Sequence, residues 1–280
     1  MRVGLFCDSS LGNNEIKDIA DLIGSGLVGL HVTDGHEVAA AGIPIIGSVY
    51  ELMASSDAVL LFTGSKGYEV LAPMALRRGM PVFISKLPEC SPQFLSTLSS
   101  ISGELSSAIG FGFSGMGALP LAECGFTPAL YVAIRRELAK GAELSDLIDL
   151  MVFDTATFIG LAGRVSVRRV RASAFPFSGR SPMFIDIRVE LSNGGLLNYT
   201  AQRMSARDTC SITLFDNGML DVKAHSWVGV NSMPCNISKD SLKNFLEGIA
   251  GSQRIGFPLV KAIDTLSIAH QVKCQLDQLR

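Results

Sequence analysis

The chain has 280 residues, 48% of them apolar and 18% charged, with a formal net charge of −2. That length predicts two domains, and the charge balance lacks the basic footprint that nucleic-acid binding needs. No apolar run approaches the ~20 residues of a membrane helix. The opening MRVGLFCDSS lacks the parts of a secretion signal. Six scattered cysteines (Cys7, Cys90, Cys124, Cys210, Cys235 and Cys274), with no C-x-x-C pair and no zinc-ligand spacing, predict free thiols in a reducing cytoplasm and no metal site. Arg164, Arg168, Arg169 and Arg171 fall on both faces of an alternating strand and read as solvated or interface charge.

In chain order, Arg2–Phe6 reads as a first strand ending in Cys7-Asp8-Ser9-Ser10-Leu11-Gly12, followed by a helix with Asn13 or Asn14 as its cap. Leu27–Val32 reads as a second buried strand ending at Thr33-Asp34-Gly35. A short strand around Pro44–Ile46 and a helix around Tyr50–Ala54 lead into a complete strand–helix–strand unit over Ser56–Pro88. There, Ala58–Phe62 is a continuous apolar run, as in a strand buried on both faces. Tyr68, Leu71, Ala72, Ala75 and Leu76 then recur at helical spacing, and Pro81–Ser85 is the next strand. In open parallel sheets ligands sit beyond the carboxyl ends of the strands, which points to Thr63, Gly64, Ser65, Ser85 and Lys86. A helix over Ser91–Ile101 and a strand near Ser107–Phe113 complete a doubly wound, Rossmann-like α/β domain over residues 1–118.

The remainder, 119–280, reads as an α+β domain with a mainly antiparallel sheet. Pro128–Lys140 is expected to be an amphipathic helix and Leu144–Ala162 a second helical stretch. Strands follow at Val165–Phe175, Met183–Leu191, Gly195–Arg203, Thr209–Asp216 and Met219–Ala224, with hairpin turns at Asn193-Gly194-Gly195 and Asp216-Asn217-Gly218. Helices at Ser238–Ala250 and Pro258–Leu279 close the chain. Ile212, Leu214 and Val222 alternate on the sheet and mark one of its faces as a homodimer or homotetramer surface.

Several of these stretches resemble the glucose–fructose oxidoreductase and inositol dehydrogenase (Gfo/Idh/MocA) family, of which the chain looks like a shortened, divergent member. Ser56-Asp57-Ala58-Val59 through Thr63-Gly64 is similar to its D-A-V-x-x-x-T-P strand, and Ala75–Val82 to its A-L-x-A-G-K-H-V. Ser85-Lys86-Leu87-Pro88 falls on its E-K-P turn, Leu214–Leu220 on its glycine-containing hairpin, and Phe245–Gly248 on its F-x-x-x-I-x-x-G helix. The resemblance covers nearly the whole chain. It implies NAD or NADP as cofactor and a sugar- or polyol-like small alcohol as substrate. The cofactor would lie against Cys7, Asp8, Ser9, Ser10, Leu11, Asp34, Thr63, Gly64, Tyr68 and Ser85, with Lys86 and Asp149 catalytic.

The departures define a second reading. Where the family carries G-x-G-x-x-G after the first strand, this chain has one glycine and an extra carboxylate, Asp8, that would repel a pyrophosphate. Asp34 stands where a ribose-binding acid belongs, or is a turn residue. The family's Asp-x-x-x-His helix aligns with Asp149 and Phe153, and phenylalanine cannot transfer a proton, so Asp149, Asp154, Tyr68 or a water would have to act instead. A literal G-x-G-x-x-G at Gly110, Gly112 and Gly115 follows a late strand and reads as a connection. The alternative to an oxidoreductase is therefore a non-catalytic binding, sensory or assembly protein on the same fold.

Overall fold

A computed structural model describes residues 1–36, 42–85, 91–105, 107–112, 130–139, 150–152, 154–155, 158–159, 166–175, 182–205, 209–216, 219–221, 236–251 and 259–278. The chain divides into two compact units, Met1–Gly117 with Cys235–Ile263, and Ala118–Pro234 with Asp264–Arg280. The stretch Cys235–Ile263, read from the sequence as part of the second domain, thus groups with the first.

In the first unit the short apolar runs form β1 (Val3–Cys7), β2 (Leu27–Val32), β3 (Ala58–Phe62), β4 (Val82–Ile84) and β5 (Ile109–Phe111). They pair in the order β2-β1-β3-β4-β5, all parallel. The short strand expected around Pro44–Ile46 is reduced to one parallel bridge, Leu30 to Ile45, fixed by Leu30 N–H to Pro44 O (2.9 Å) and Ile46 N–H to Leu30 O (2.8 Å). Strand order reverses between β1 and β3, and a ligand crevice opens at such a reversal, outside the carboxyl ends.

Helix α1 (Asn13–Ile23) lays Ile16 and Ile19 on Val3, Leu5, Leu60 and Phe83. The same cluster takes Leu242 and Phe245 from α5 (Asn236–Ile249), which explains why that distant segment belongs to this unit. On the opposite face Leu52 of α2 (Val49–Ala54) approaches Gly4, and α3 (Ser65–Arg77) packs on β3 and β4. Helix α4 (Pro92–Leu105) lies beside α3, with Phe94 and Tyr68 ring centroids 5.3 Å apart. The cap of α1 is Gly12 rather than Asn13 or Asn14.

The glycines of the literal G-x-G-x-x-G are packing residues where they are described. A Cβ at Gly110 would collide with the Phe245 ring, and one at Gly112 with the Ser85 carbonyl. Gly115 lies outside the described residues.

The second unit corrects one expectation. Within the stretch expected to be a helix, Leu130–Ala139 is strand β6. It is joined by β7 (Val167–Phe175), β8 (Phe184–Leu191), β9 (Leu196–Ser205), β10 (Thr209–Asp216) and β11 (Met219–Asp221) in the order β11-β10-β6-β9-β8-β7. The β6–β9 pair is parallel and the others antiparallel. Val132, Ile134 and Leu138 are buried at alternate positions, the period of a strand. The sequence hides that alternation because Arg136 occupies the inward position between Ile134 and Leu138, where its guanidinium meets Asp154. Leu150, Met151, Val152, Phe158 and Ile159, all helical, are buried too.

Ile212 and Leu214 pair in register with Ile134 and Val132 of β6, and Val222 lies outside the described residues. At the β7 edge the Gln275 carboxamide, from α6 (Leu259–Gln278), acts as a stand-in for a neighbouring strand. It accepts from the Ala172 N–H at 2.7 Å and donates to the Val170 carbonyl at 3.0 Å. Gln275→Ala is expected to speed exchange of the Ala172 amide by up to about tenfold in hydrogen–deuterium exchange, the scale of one net hydrogen bond. Amides directed at β8 should be unchanged.

Candidate functional site: the carboxyl end of the parallel sheet

At the end of β1 the chain turns through Asp8-Ser9-Ser10-Leu11-Gly12 into α1, and at the end of β3 through Thr63-Gly64 into α3. Both turns flank the point where strand order reverses. Backbone N–H groups in such turns, together with the positive ends of helices, are what hold a diphosphate in dinucleotide-binding folds. Their present partners decide what this site can take.

The N–H groups of Ser9, Ser10, Leu11, Gly12 and Gly64 are engaged within the chain. Asp34 Oδ2 accepts the Ser9 N–H at 2.9 Å. Asp8 Oδ1 accepts the Ser10 N–H at 3.0 Å and the Ser10 hydroxyl. The Asp8 carbonyl accepts the Leu11 N–H at 3.2 Å, and Glu15 Oε2 accepts the Gly12 N–H at 2.8 Å. Across the reversal, Asp8 Oδ2 accepts the Gly64 N–H, the N-cap of α3, at 2.6 Å. Three carboxylates of the protein thus bond the donors that a diphosphate would use. As arranged, these residues do not fit a dinucleotide diphosphate.

The electrostatics point the same way. Donation from the Ser9 side chain and N–H, with smaller help from His36, holds the exposed Asp34 carboxyl well below the usual carboxylate range. His36 Nδ1 lies 3.2 Å from Asp34 Oδ2, and the His36 backbone N–H donates to Asp34 Oδ1 at 3.3 Å. Asp34 is therefore ionised at any physiological pH. The Cys7 thiol is pushed up to about 12, first by burial and then by Asp8 and Asp34, so it is neutral and a poor nucleophile.

The sequence-derived residues sort into three groups. Asp8, Ser9, Ser10, Asp34 and Gly64 come together in one hydrogen-bonded cluster. Cys7, Leu11 and Tyr68 serve packing. Cys7 lies in the core and offers its carbonyl to the Thr33 N–H at 2.8 Å, Leu11 rests on the same core, and Tyr68 is fully buried against Phe94. Thr63 and Ser85 form the third group. Their hydroxyl oxygens, at the ends of β3 and β4, are buried without a hydrogen-bond partner among the described residues. Lys86, Asp149 and Phe153 lie outside the described residues.

Asp154, considered above as a replacement acid/base, is committed elsewhere. Its two oxygens take Arg136 Nε at 2.6 Å and Nη2 at 2.7 Å, a bidentate pair inside the second unit. Glu15 was missed in the sequence, although a glutamate three residues after a glycine that opens a helix is the signal of a side chain bonding the cap N–H. Among the described residues no group of three or more His, Cys, Asp or Glu side chains could hold a metal ion. No helix among them is long and apolar enough to cross a membrane.

No protein-family model matches the chain, and no curated protein matches it by sequence. Solved structures match over its full length. UDP-N-acetylglucosamine 3-dehydrogenase from Acidithiobacillus ferrooxidans superposes with a TM-score of 0.78 at 21% identity, covering 100% of this chain and 99% of that one. A myo-inositol dehydrogenase from Corynebacterium glutamicum gives 0.79 at 14% identity, covering 100% and 97%. A putative myo-inositol dehydrogenase from Sinorhizobium meliloti gives 0.77 at 13%, covering 100% and 98%. From end to end, the chain carries the two-part fold of the Gfo/Idh/MocA-type dehydrogenases.

Proposed function

We propose that this protein is a non-catalytic descendant of a dehydrogenase, a binding, sensory or assembly protein that keeps the fold and a place for a small polar ligand but does not carry out nicotinamide-dependent turnover. The observation that carries this reading is the occupation of the β1–α1 loop donors by Asp8, Asp34 and Glu15. Phe153 at the position of the family's catalytic histidine adds to it. The unpartnered hydroxyls of Thr63 and Ser85 favour retention of a ligand whose polar groups would pair with them.

A second reading, an NAD(P)-dependent oxidoreductase of sugar- or polyol-like alcohols, is favoured by the dehydrogenase fold and by Asp34 at the end of β2. In it Lys86 would orient the substrate hydroxyl and Asp149 or a water would move its proton. A bound nicotinamide would supply the hydride chemistry. In either reading we place the protein in the cytoplasm as a homodimer or homotetramer through the C-terminal sheet.

The two readings separate in one assay. The purified protein, offered NAD or NADP with a panel of sugars and polyols, is expected to reduce neither cofactor. Turnover that Lys86→Ala abolishes would establish the oxidoreductase reading instead.

A further inference from the structure

We infer that Asp8 is the residue that closes this site to dinucleotides, so that exclusion is an active property of one carboxylate rather than the passive loss of glycines. The inference rests on the reading that the wild-type loop binds no dinucleotide, and it adds which group is responsible.

The three carboxylates around the loop are not equivalent. Glu15 bonds the Gly12 N–H within the first turn of its own helix and reaches no part of α3. Asp34 is exposed on β2's side of the loop, and its bond to the Ser9 N–H reaches no part of α3. Asp8 spans the reversal of strand order. One oxygen holds the Ser10 N–H and hydroxyl, and the other holds the Gly64 N–H, fifty-six positions away along the chain. It therefore ties the loop after β1 to the N-cap of α3, across the place where a ligand's phosphates would have to pass.

A phosphate would compete for the same donors and would meet a resident negative charge while doing so. Both effects act against it: the donors are charge-assisted with Asp8, and like charges in a partly desolvated crevice repel strongly.

The test uses the full-length wild type, Asp8→Asn and Asp8→Ala, with Asp21→Asn as a control that makes the same charge change on the exposed side of α1. Asp8→Asn keeps the size and one acceptor oxygen, so it remains usable should the alanine variant fail to fold. Binding of NADH, NADPH and inorganic pyrophosphate is measured by calorimetry at low ionic strength, with circular dichroism and a melting curve confirming the fold. Both Asp8 variants are expected to bind at least one of these probes on the order of a hundredfold tighter than wild type, the scale of removing a close like charge. Asp21→Asn should match wild type. Folded Asp8 variants that bind as weakly as wild type would overturn the inference and leave the non-catalytic reading standing. Tight binding by wild type itself would instead remove the reading on which the inference rests.

Discussion

Arg136→Ala is expected to destabilise the second unit by about 3–5 kcal/mol, the usual result of removing one partner from a buried ion pair. Arg136 sits on the covered face of β6, in line with Val132, Ile134 and Leu138, and its side chain is 18% exposed against 7% for Asp154. Both short bonds of the pair close on one carboxylate. Deleting the guanidinium leaves the largely buried Asp154 carboxylate without this partner. Asp154→Ala should be similarly costly from the other side. The double variant Arg136→Met with Asp154→Leu is expected to recover most of the loss, since apolar replacement of a whole buried pair is often neutral or better. Urea unfolding of the four proteins measures this directly. A loss below ~1 kcal/mol in Arg136→Ala would mean that the pair is hydrated and contributes like a surface bridge.

Phe245→Ala is expected to cost the first unit about 3–5 kcal/mol. Phe245 is 1% exposed, lies 5.5 Å from the Phe83 ring, and rests in the space left by Gly110. It is the side chain by which α5, remote in sequence, seals the parallel sheet. Gly110→Ala should cost ~1–3 kcal/mol for the opposite reason, overpacking against that ring. Because the two positions share one volume, Gly110→Ala in a Phe245→Leu background should cost less than in wild type. Strict additivity in denaturant melts would show that the ring and the glycine do not meet.

The parallel sheet is legible in the sequence because strands buried on both faces write continuous apolar runs such as Ala58–Phe62, bounded by turn residues. Strand β6 is not legible, because a paired arginine at an inward position breaks the alternation and leaves LYVAIRREL looking helical. The return of α5 to the first unit is hidden for a different reason. Linear order carries no record of which core a distant helix will cover, and the signal lies in the fit of Phe245 to Gly110. The third strand shrinks to the Leu30–Ile45 bridge because Pro44 and the neighbouring turn leave little chain to extend.

At the site, the residue types were readable and their use was not. Asp8 stands out as an added carboxylate in the loop, and Asp34 as an acid at the end of β2. That they act on the protein's own N–H groups depends on contacts 25 and 56 residues apart, Ser9 to Asp34 and Asp8 to Gly64, which no local spacing encodes. Asp154 shows the same limit. Its position beside Phe153 suggests chemistry, and only its pairing with Arg136 assigns it to the core.

In this dehydrogenase-type fold the protein's own carboxylates fill the loop after β1. Calorimetric titration of the wild-type protein with NADH and with NADPH, carried to millimolar concentration near neutral pH, addresses that most directly. The arrangement of Asp8, Asp34 and Glu15 predicts no saturable binding of either. A saturable isotherm with a micromolar dissociation constant would contradict it, since the Ser9, Ser10 and Gly64 donors would then have to be released to the ligand.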